Sequence, residues 1–192
     1  MKKLINKYNV ALPRYTSFPA VPNWKLESWT PEKWLTTVGE SYQQSIDKGI
    51  SLYIHLPFCE DLCTYCACNT RITKNHSVEK PYIDAVLKEW DMYVELLGTT
   101  PMIKELHLGG GTPTFFSPEN LGWLLESIIK KSVVPPDAAF SFEGHPGNTT
   151  KEHLEVLYAY GFKRMSLGIQ DFNPEVQLII NRKQTEEQVY KA

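Results

Sequence analysis

The sequence predicts an α/β fold of about four parallel βα units behind an N-terminal arm and a helix. Two observations carry this. From residue 50 onward, short apolar runs of strand length alternate with longer amphipathic runs of helix length, the pattern of parallel strands joined by crossover helices. The residues that fit neither pattern (cysteines, a glycine run, isolated acids) all come directly after a predicted strand. They therefore share the face on which such folds gather their chemistry.

Residues 1–49 read as an arm and a helix. Ala11-Leu12-Pro13-Arg14-Tyr15-Thr16-Ser17-Phe18-Pro19 has two prolines and no period, as expected of extended chain laid over a surface. Thr30 is the expected cap of the next helix, with Pro31 in its first position and Lys33 where a capping box would need Glu or Gln. Trp34, Leu35 and Val38 give it an apolar stripe, and it ends near Gly49. The remainder, residues 50–192, is the core. Strands are expected at 50–56, 103–108, 138–143 and 163–169. Helices are expected at 81–97 with Gly98 as the stop, 118–131, 151–160 ending at Gly161, from Pro174, and near Glu186. The first strand has apolar residues at both parities, interrupted by Ser51 and His55, as if both faces were covered.

Composition narrows the function. With 42% hydrophobic and 22% charged residues the 192-residue chain is globular in character rather than disordered. Twenty Lys+Arg against 22 Asp+Glu give a net charge of −2, which offers no basic surface for nucleic acid. No apolar stretch approaches the roughly 20 residues that cross a bilayer. Met1-Lys2-Lys3-Leu4-Ile5-Asn6-Lys7 has the positive start of a signal peptide without its apolar core. A cytoplasmic protein with neither nucleic-acid nor membrane partners is expected.

The four cysteines, Cys59, Cys63, Cys66 and Cys68, lie within ten residues of one another, and the chain has no others. A disulfide framework staples distant segments, which these cannot do. Cys59, Cys63 and Cys66 have the spacing C-x3-C-x2-C, short enough to turn three thiolates toward one inorganic centre. Zinc would accept them, with Cys68 as a cramped fourth ligand, although structural zinc usually takes two separated pairs. An iron–sulfur cluster on three thiolates keeps one iron open.

C-x3-C-x2-C after a first strand resembles the radical S-adenosylmethionine superfamily, and Tyr65 before Cys66 matches an aromatic position of that motif. A narrower likeness runs along nearly the whole chain. Pro13-Arg14-Tyr15-Thr16-Ser17-Phe18-Pro19, Tyr53-Ile54-His55-Leu56-Pro57-Phe58-Cys59 and Cys66-Ala67-Cys68-Asn69 are succeeded by Gly109 to Thr114, Ser166-Leu167-Gly168-Ile169-Gln170-Asp171-Phe172 and Asn181-Arg182. In this order they are similar to the oxygen-independent coproporphyrinogen III oxidase family. A related branch of haem-binding chaperones shares the core motifs but typically lacks the Arg14-Tyr15-Thr16-Ser17 arm.

The resemblance implies a partial parallel (β/α) barrel of the radical S-adenosylmethionine type, truncated after about four βα units, and an oxidoreductase of porphyrin and haem biosynthesis. In that family a [4Fe-4S] cluster and S-adenosylmethionine, two molecules of it, yield a 5′-deoxyadenosyl radical. Two propionates of coproporphyrinogen III are then decarboxylated to vinyl groups, giving protoporphyrinogen IX. The family's barrel has about six units and a further domain, so the 192 residues alone are expected not to turn over. By resemblance, Cys59, Cys63 and Cys66 hold the cluster and Cys68 does not. Tyr53, Gly110 and Glu143 contact the first S-adenosylmethionine; Tyr65, Gly111, Thr112, Gln170 and Arg182 contact the second. The implied partners are the porphyrinogen and an electron donor such as a flavodoxin or ferredoxin. His55, His107 and His145 are expected to be structural. His145 stands where the family has an acid or amide, and Glu60 and Asp61 put two acids in the cluster loop, where unscreened they disfavour adding an electron.

Overall fold

A computed structural model describes residues 2–9, 25 and 29–192 of the chain. The expected extended arm at 11–19, and the Arg14-Tyr15-Thr16-Ser17 motif within it, lie outside the described residues. The contacts divide the chain into two units, Met1–Val38 and Gly39–Ala192. The first contains α1 (Lys2–Tyr8), which the sequence did not announce because its short length leaves no readable period. It also contains the start of α2 (Pro31–Ser45), where Lys33 N donates to the capping Thr30 hydroxyl at 3.3 Å. Beyond α2 a 3-10 turn, Ile46–Lys48, leads to Gly49 at φ +74°; a Cβ there would stand 2.7 Å from the Met102 carbonyl oxygen.

The larger unit is built on four parallel strands that neighbour one another in this order: β1 (Ile50–Leu56), β4 (Ile103–Gly110), β5 (Ala139–Gly144) and β6 (Phe162–Leu167). Between them run α3 (Glu79–Leu97), α4 (Pro118–Ile129) and α5 (Lys151–Ala159). Each element lies within a few residues of its predicted place. The core joins alternate strand residues (Ile54, Leu56, Leu106, Leu108, Phe140 and Phe142) to Ile83 and Trp90 of α3, four residues of α4, and Leu157 of α5. Leu124, Leu125 and Ile128 of α4 are almost wholly enclosed, so truncating any of them to alanine is worth about 2–5 kcal/mol.

The opposite face of the sheet corrects one expectation. Ser51 and Tyr53 are exposed and His55 is half-buried, so β1 is covered on one side only. Register carries the same polar row across the sheet, Tyr53 against His107 and His107 against Ser141. Tyrosine counts as apolar in a periodicity, yet its hydroxyl keeps it at home on a wet surface. Among the described residues no helix is long and apolar enough to cross a membrane.

Two elements sit outside the βα alternation. Phe58–Cys59 (β2) and Arg71–Ile72 (β3) form a two-stranded parallel ladder that closes the cysteine loop. At the C-terminal end, α6 (Pro174–Ile179) and α7 (Glu186–Lys191) start close to where the sequence places them, behind the caps Asn173 and Thr185.

Candidate functional site

Cys59 lies in β2 itself, and Cys63, Cys66 and Cys68 lie in the loop between β2 and β3. The ladder pins both ends of that loop: Arg71 N donates to Pro57 O at 2.8 Å and Thr73 N to Cys59 O at 2.9 Å. Within it Cys66 N donates to Cys63 O at 3.0 Å, closing a tight turn. All four cysteines are free thiols, Cys59 and Cys63 half-buried, Cys66 and Cys68 exposed. Burial pushes the Cys59 thiol up from its ordinary value, against the Thr112 hydroxyl, which pulls it down from 3.3 Å. Burial also raises Cys68, with Cys66 beside it.

The glycine run is shaped by β1 as much as by any ligand. Gly110 has φ +118°, and a Cβ there would meet the His55 ring at 2.8 Å. A Cβ on Gly111 would stand 2.5 Å from Pro57 O, against backbone that cannot yield. Gly111 N and Thr112 N donate to Leu56 O and Phe58 O at 2.9 and 3.0 Å, continuing the β1–β4 pairing past the end of both strands. That continuation delivers Thr112 to Cys59.

One cavity of about 420 Å³ is lined by Cys59, Cys63, Cys66, Tyr65, Gly110, Gly111, Thr112, Glu143, Gln170 and Arg182. Its size suits a nucleotide-sized ligand. Of the cluster and cofactor residues singled out from the sequence, only Tyr53 is not on its wall. Tyr53 lies on the polar face of β1, stacked on His107 at 5.9 Å, and His107 Nε2 is 3.6 Å from the Glu143 carboxylate. The imidazole, held by Ser141 at 2.8 Å, thus links Tyr53 to Glu143. His55 sits between the Tyr53 hydroxyl at 3.0 Å and the Asn69 carbonyl at 2.7 Å. His145 Nδ1 accepts from Gly147 N at 3.0 Å. Each of the three histidines therefore has a structural partner, although His145 also lines the cavity.

The far wall comes from β6 and the segment after it. Gln170 is held at φ +69°, a conformation uncommon for a residue with a side chain. Arg182 reaches back to the Gly168 carbonyl, and its Nη1 lies 3.5 Å from Cys63 Sγ. The neighbouring residues grip the cysteine loop: Thr64 N donates to Ile180 O at 3.0 Å and Asn181 Nδ2 to Leu62 O at 2.8 Å. Burial raises the Tyr65 phenol, Arg182 opposing and Cys63 adding.

The two acids of the loop are not bare. Asp61 lies 3.9 Å from Lys74 Nζ, so the expected penalty on an added electron is partly screened at that acid, and Glu60 lies 3.5 Å from His76 Nε2. His76 in turn donates from Nδ1 to Glu79 at 2.7 Å. Glu79 is buried and also accepts from Ser117 N at 2.8 Å and Asn120 Nδ2 at 2.7 Å, joining the cysteine loop to the start of α4. Sequence reasoning missed Glu79, His76 and Gly168. The first two resemble an ordinary charged helix start, and Gly168 matters only through Arg182, fourteen residues on.

Cysteines after a first strand, a glycine-rich edge at the end of a second and an acid at the end of a third define a class. Residues 53–192 match the Radical SAM superfamily, and the chain belongs to it. The chain is 35% identical over 99% of its length to the oxygen-independent coproporphyrinogen III oxidase of Synechocystis sp.. It is 35% identical over 97% of its length to the Escherichia coli protein of the same name. It is also similar to the solved structure of coproporphyrinogen III oxidase (HemN) from Escherichia coli, a radical SAM enzyme, with a TM-score of 0.83, 32% identity and 98% of this chain covered. The chain spans about 40% of the length of these relatives. The predicted barrel type is thereby borne out over the part present.

The superfamily implies a [4Fe-4S] cluster and S-adenosylmethionine, and the residues fit both. The donors beside the cavity are thiols, the ligands that such clusters take. Among the described residues no three Cys, His, Asp or Glu side chains converge on one point, as a single ion requires. A four-iron cluster takes its thiolates at separate corners and needs no such convergence.

Proposed function

We propose that this chain carries the cluster and cofactor site of an oxygen-independent coproporphyrinogen III oxidase. The enzyme converts two propionates of coproporphyrinogen III to vinyl groups, giving protoporphyrinogen IX. In this reading Cys59, Cys63 and Cys66 hold the cluster, while Cys68 stands beside it without ligating. Tyr53, Gly110 and Glu143 bind one S-adenosylmethionine, and Tyr65, Gly111, Thr112, Gln170 and Arg182 a second. Residues 1–49 are an arm and helix, and 50–192 the incomplete core. The protein works in the cytoplasm, fed by a flavodoxin or ferredoxin, with no nucleic-acid or membrane partner.

When bound, the cluster would supply the electron that breaks a carbon–sulfur bond of S-adenosylmethionine. The chain's own residues bind and orient. The Glu143 carboxylate, steadied by His107, accepts hydrogen bonds from the cofactor's hydroxyl or amino groups. The glycine edge lets backbone approach the ligand closely, and Tyr53 offers a ring face.

The observation that supports this most is the meeting of ten separately chosen side chains and glycines on one cavity, in a chain 35% identical to proteins of that name. The test is anaerobic incubation of reconstituted protein with reductant, S-adenosylmethionine and coproporphyrinogen III. Formation of 5′-deoxyadenosine is the expected result, without release of carbon dioxide from the porphyrinogen, because the core is incomplete. The absence of 5′-deoxyadenosine contradicts it.

A further inference from the structure

Two polar groups of the cavity are turned toward sulfur. Arg182 donates from both Nε and Nη2 to the Gly168 carbonyl, the former at 3.1 Å. A Cβ on Gly168 would stand 2.9 Å from Nη2, so a side chain at residue 168 would push the guanidinium from this seat. The guanidinium is planar and its donors are fixed relative to one another. With one edge anchored on the carbonyl, Nη1 is aimed at Cys63 Sγ, 3.5 Å away. From the glycine-rich edge Thr112 Oγ1 lies 3.3 Å from Cys59 Sγ, and against a thiolate the hydroxyl is the donor. Thr112 is itself buried.

We propose that Arg182 and Thr112 set the reduction potential of the cluster by donating hydrogen bonds to two of its three cysteine sulfurs. This rests on the reading of Cys59, Cys63 and Cys66 as the cluster ligands. Reduction adds negative charge to the cluster and its sulfurs, and donors to sulfur together with a nearby cation favour the reduced form. The guanidinium brings both effects and the hydroxyl only the first. Arg182 is thus more than a ligand contact: its carbonyl seat commits it to the cysteine loop before any cofactor arrives. The loop is also gripped by contacts that carry no donor to sulfur, chiefly Asn181 Nδ2 on Leu62 O at 2.8 Å, so tuning and clamping are separable by mutation.

The experiment is a redox titration of the reconstituted chain, monitored by spin resonance, without S-adenosylmethionine so that lost cofactor contacts cannot contribute. Iron and sulfide per chain are measured on every variant. Arg182→Gln and Thr112→Val each move the potential to more negative values, Arg182→Gln further. Arg182→Lys, which keeps the charge without the fork, falls between. Thr112→Ser and Asn181→Gly stay at the wild-type value. If Arg182→Gln takes up no cluster, the Thr112→Val and Thr112→Ser pair decides. Unmoved potentials in Arg182→Gln and Thr112→Val overturn the proposal. So does an Asn181→Gly shift equal to that of Arg182→Gln, because a slackened loop would then be the cause. Wild-type protein that assembles no cluster overturns the reading of the cysteines as well; a cluster indifferent to both donors overturns this inference alone.

Discussion

Glu79 and His145 show how single side chains hold the site together. The Glu79 carboxylate is 2% exposed and takes donors from His76, Ser117 N and Asn120. Removing it leaves the half-buried Ser117 N and Asn120 Nδ2 without an acceptor, at roughly 1–3 kcal/mol for each, while the exposed His76 ring can turn to water. Glu79→Ala is therefore expected to lose about 2 kcal/mol or more in urea denaturation, and a loss under about 1 kcal/mol would contradict the network. His145 has its pKa pushed down to about 4, chiefly by burial, with Arg182 adding. The unfolded chain takes up a proton near 6.5 that the folded chain refuses until about pH 4. Stability from neutral His145 is then complete above about pH 6.5 and is lost as pH falls toward 4. His145→Asn, whose side-chain oxygen can accept from Gly147 N as the ring does, is expected to flatten the pH dependence of the melting temperature across that window. At this scale the cysteines and glycines were legible because their chemistry is rare. Glu79 was not, because a carboxylate opening a helix looks the same whether it faces water or the core.

The elements place these residues, and two junctions matter most. At the first, Gly111 passes beneath Pro57 and Phe58 where β1 and β4 end. Gly111→Ala forces backbone apart there, with an expected loss of about 1–3 kcal/mol and a matching fall in iron taken up per chain; unaltered stability in thermal unfolding would contradict it. At the second, Thr150 caps α5 and His153 returns the bond to Thr150 N, so Thr150→Ala is expected to cost about 1 kcal/mol by the same measurement. The βα alternation was readable because strands and helices differ in period, and Thr30 was readable as a cap. The β2–β3 ladder was not, since two residues have no period. The grip of residues 179–182 on the cysteine loop was hidden too, because its partners lie far apart along the chain, Thr64 on Ile179 and Asn181 on Leu62. Tyr53 was misleading in a related way, since a tyrosine in an apolar strand does not declare which face it takes.

Across the whole larger unit, chemistry and packing occupy opposite sides of one sheet. The helices bury Leu, Ile and Phe on one face; the other carries Tyr53, His107, Ser141 and Glu143 toward the cavity at the strand ends. This division lets a fold of ordinary composition hold a site of unusual composition, and it explains why the fold class and most of the site were legible together. Everything proposed for the chain depends on three thiolates leaving one iron of a cluster open to S-adenosylmethionine. The most direct test is spin resonance on anaerobically reconstituted, reduced protein before and after that cofactor is added. The expected result is a [4Fe-4S] signal that changes on addition and is missing when Cys59, Cys63 and Cys66 are replaced by alanine. A signal unmoved by the cofactor, or one that survives loss of the three cysteines, would contradict the account.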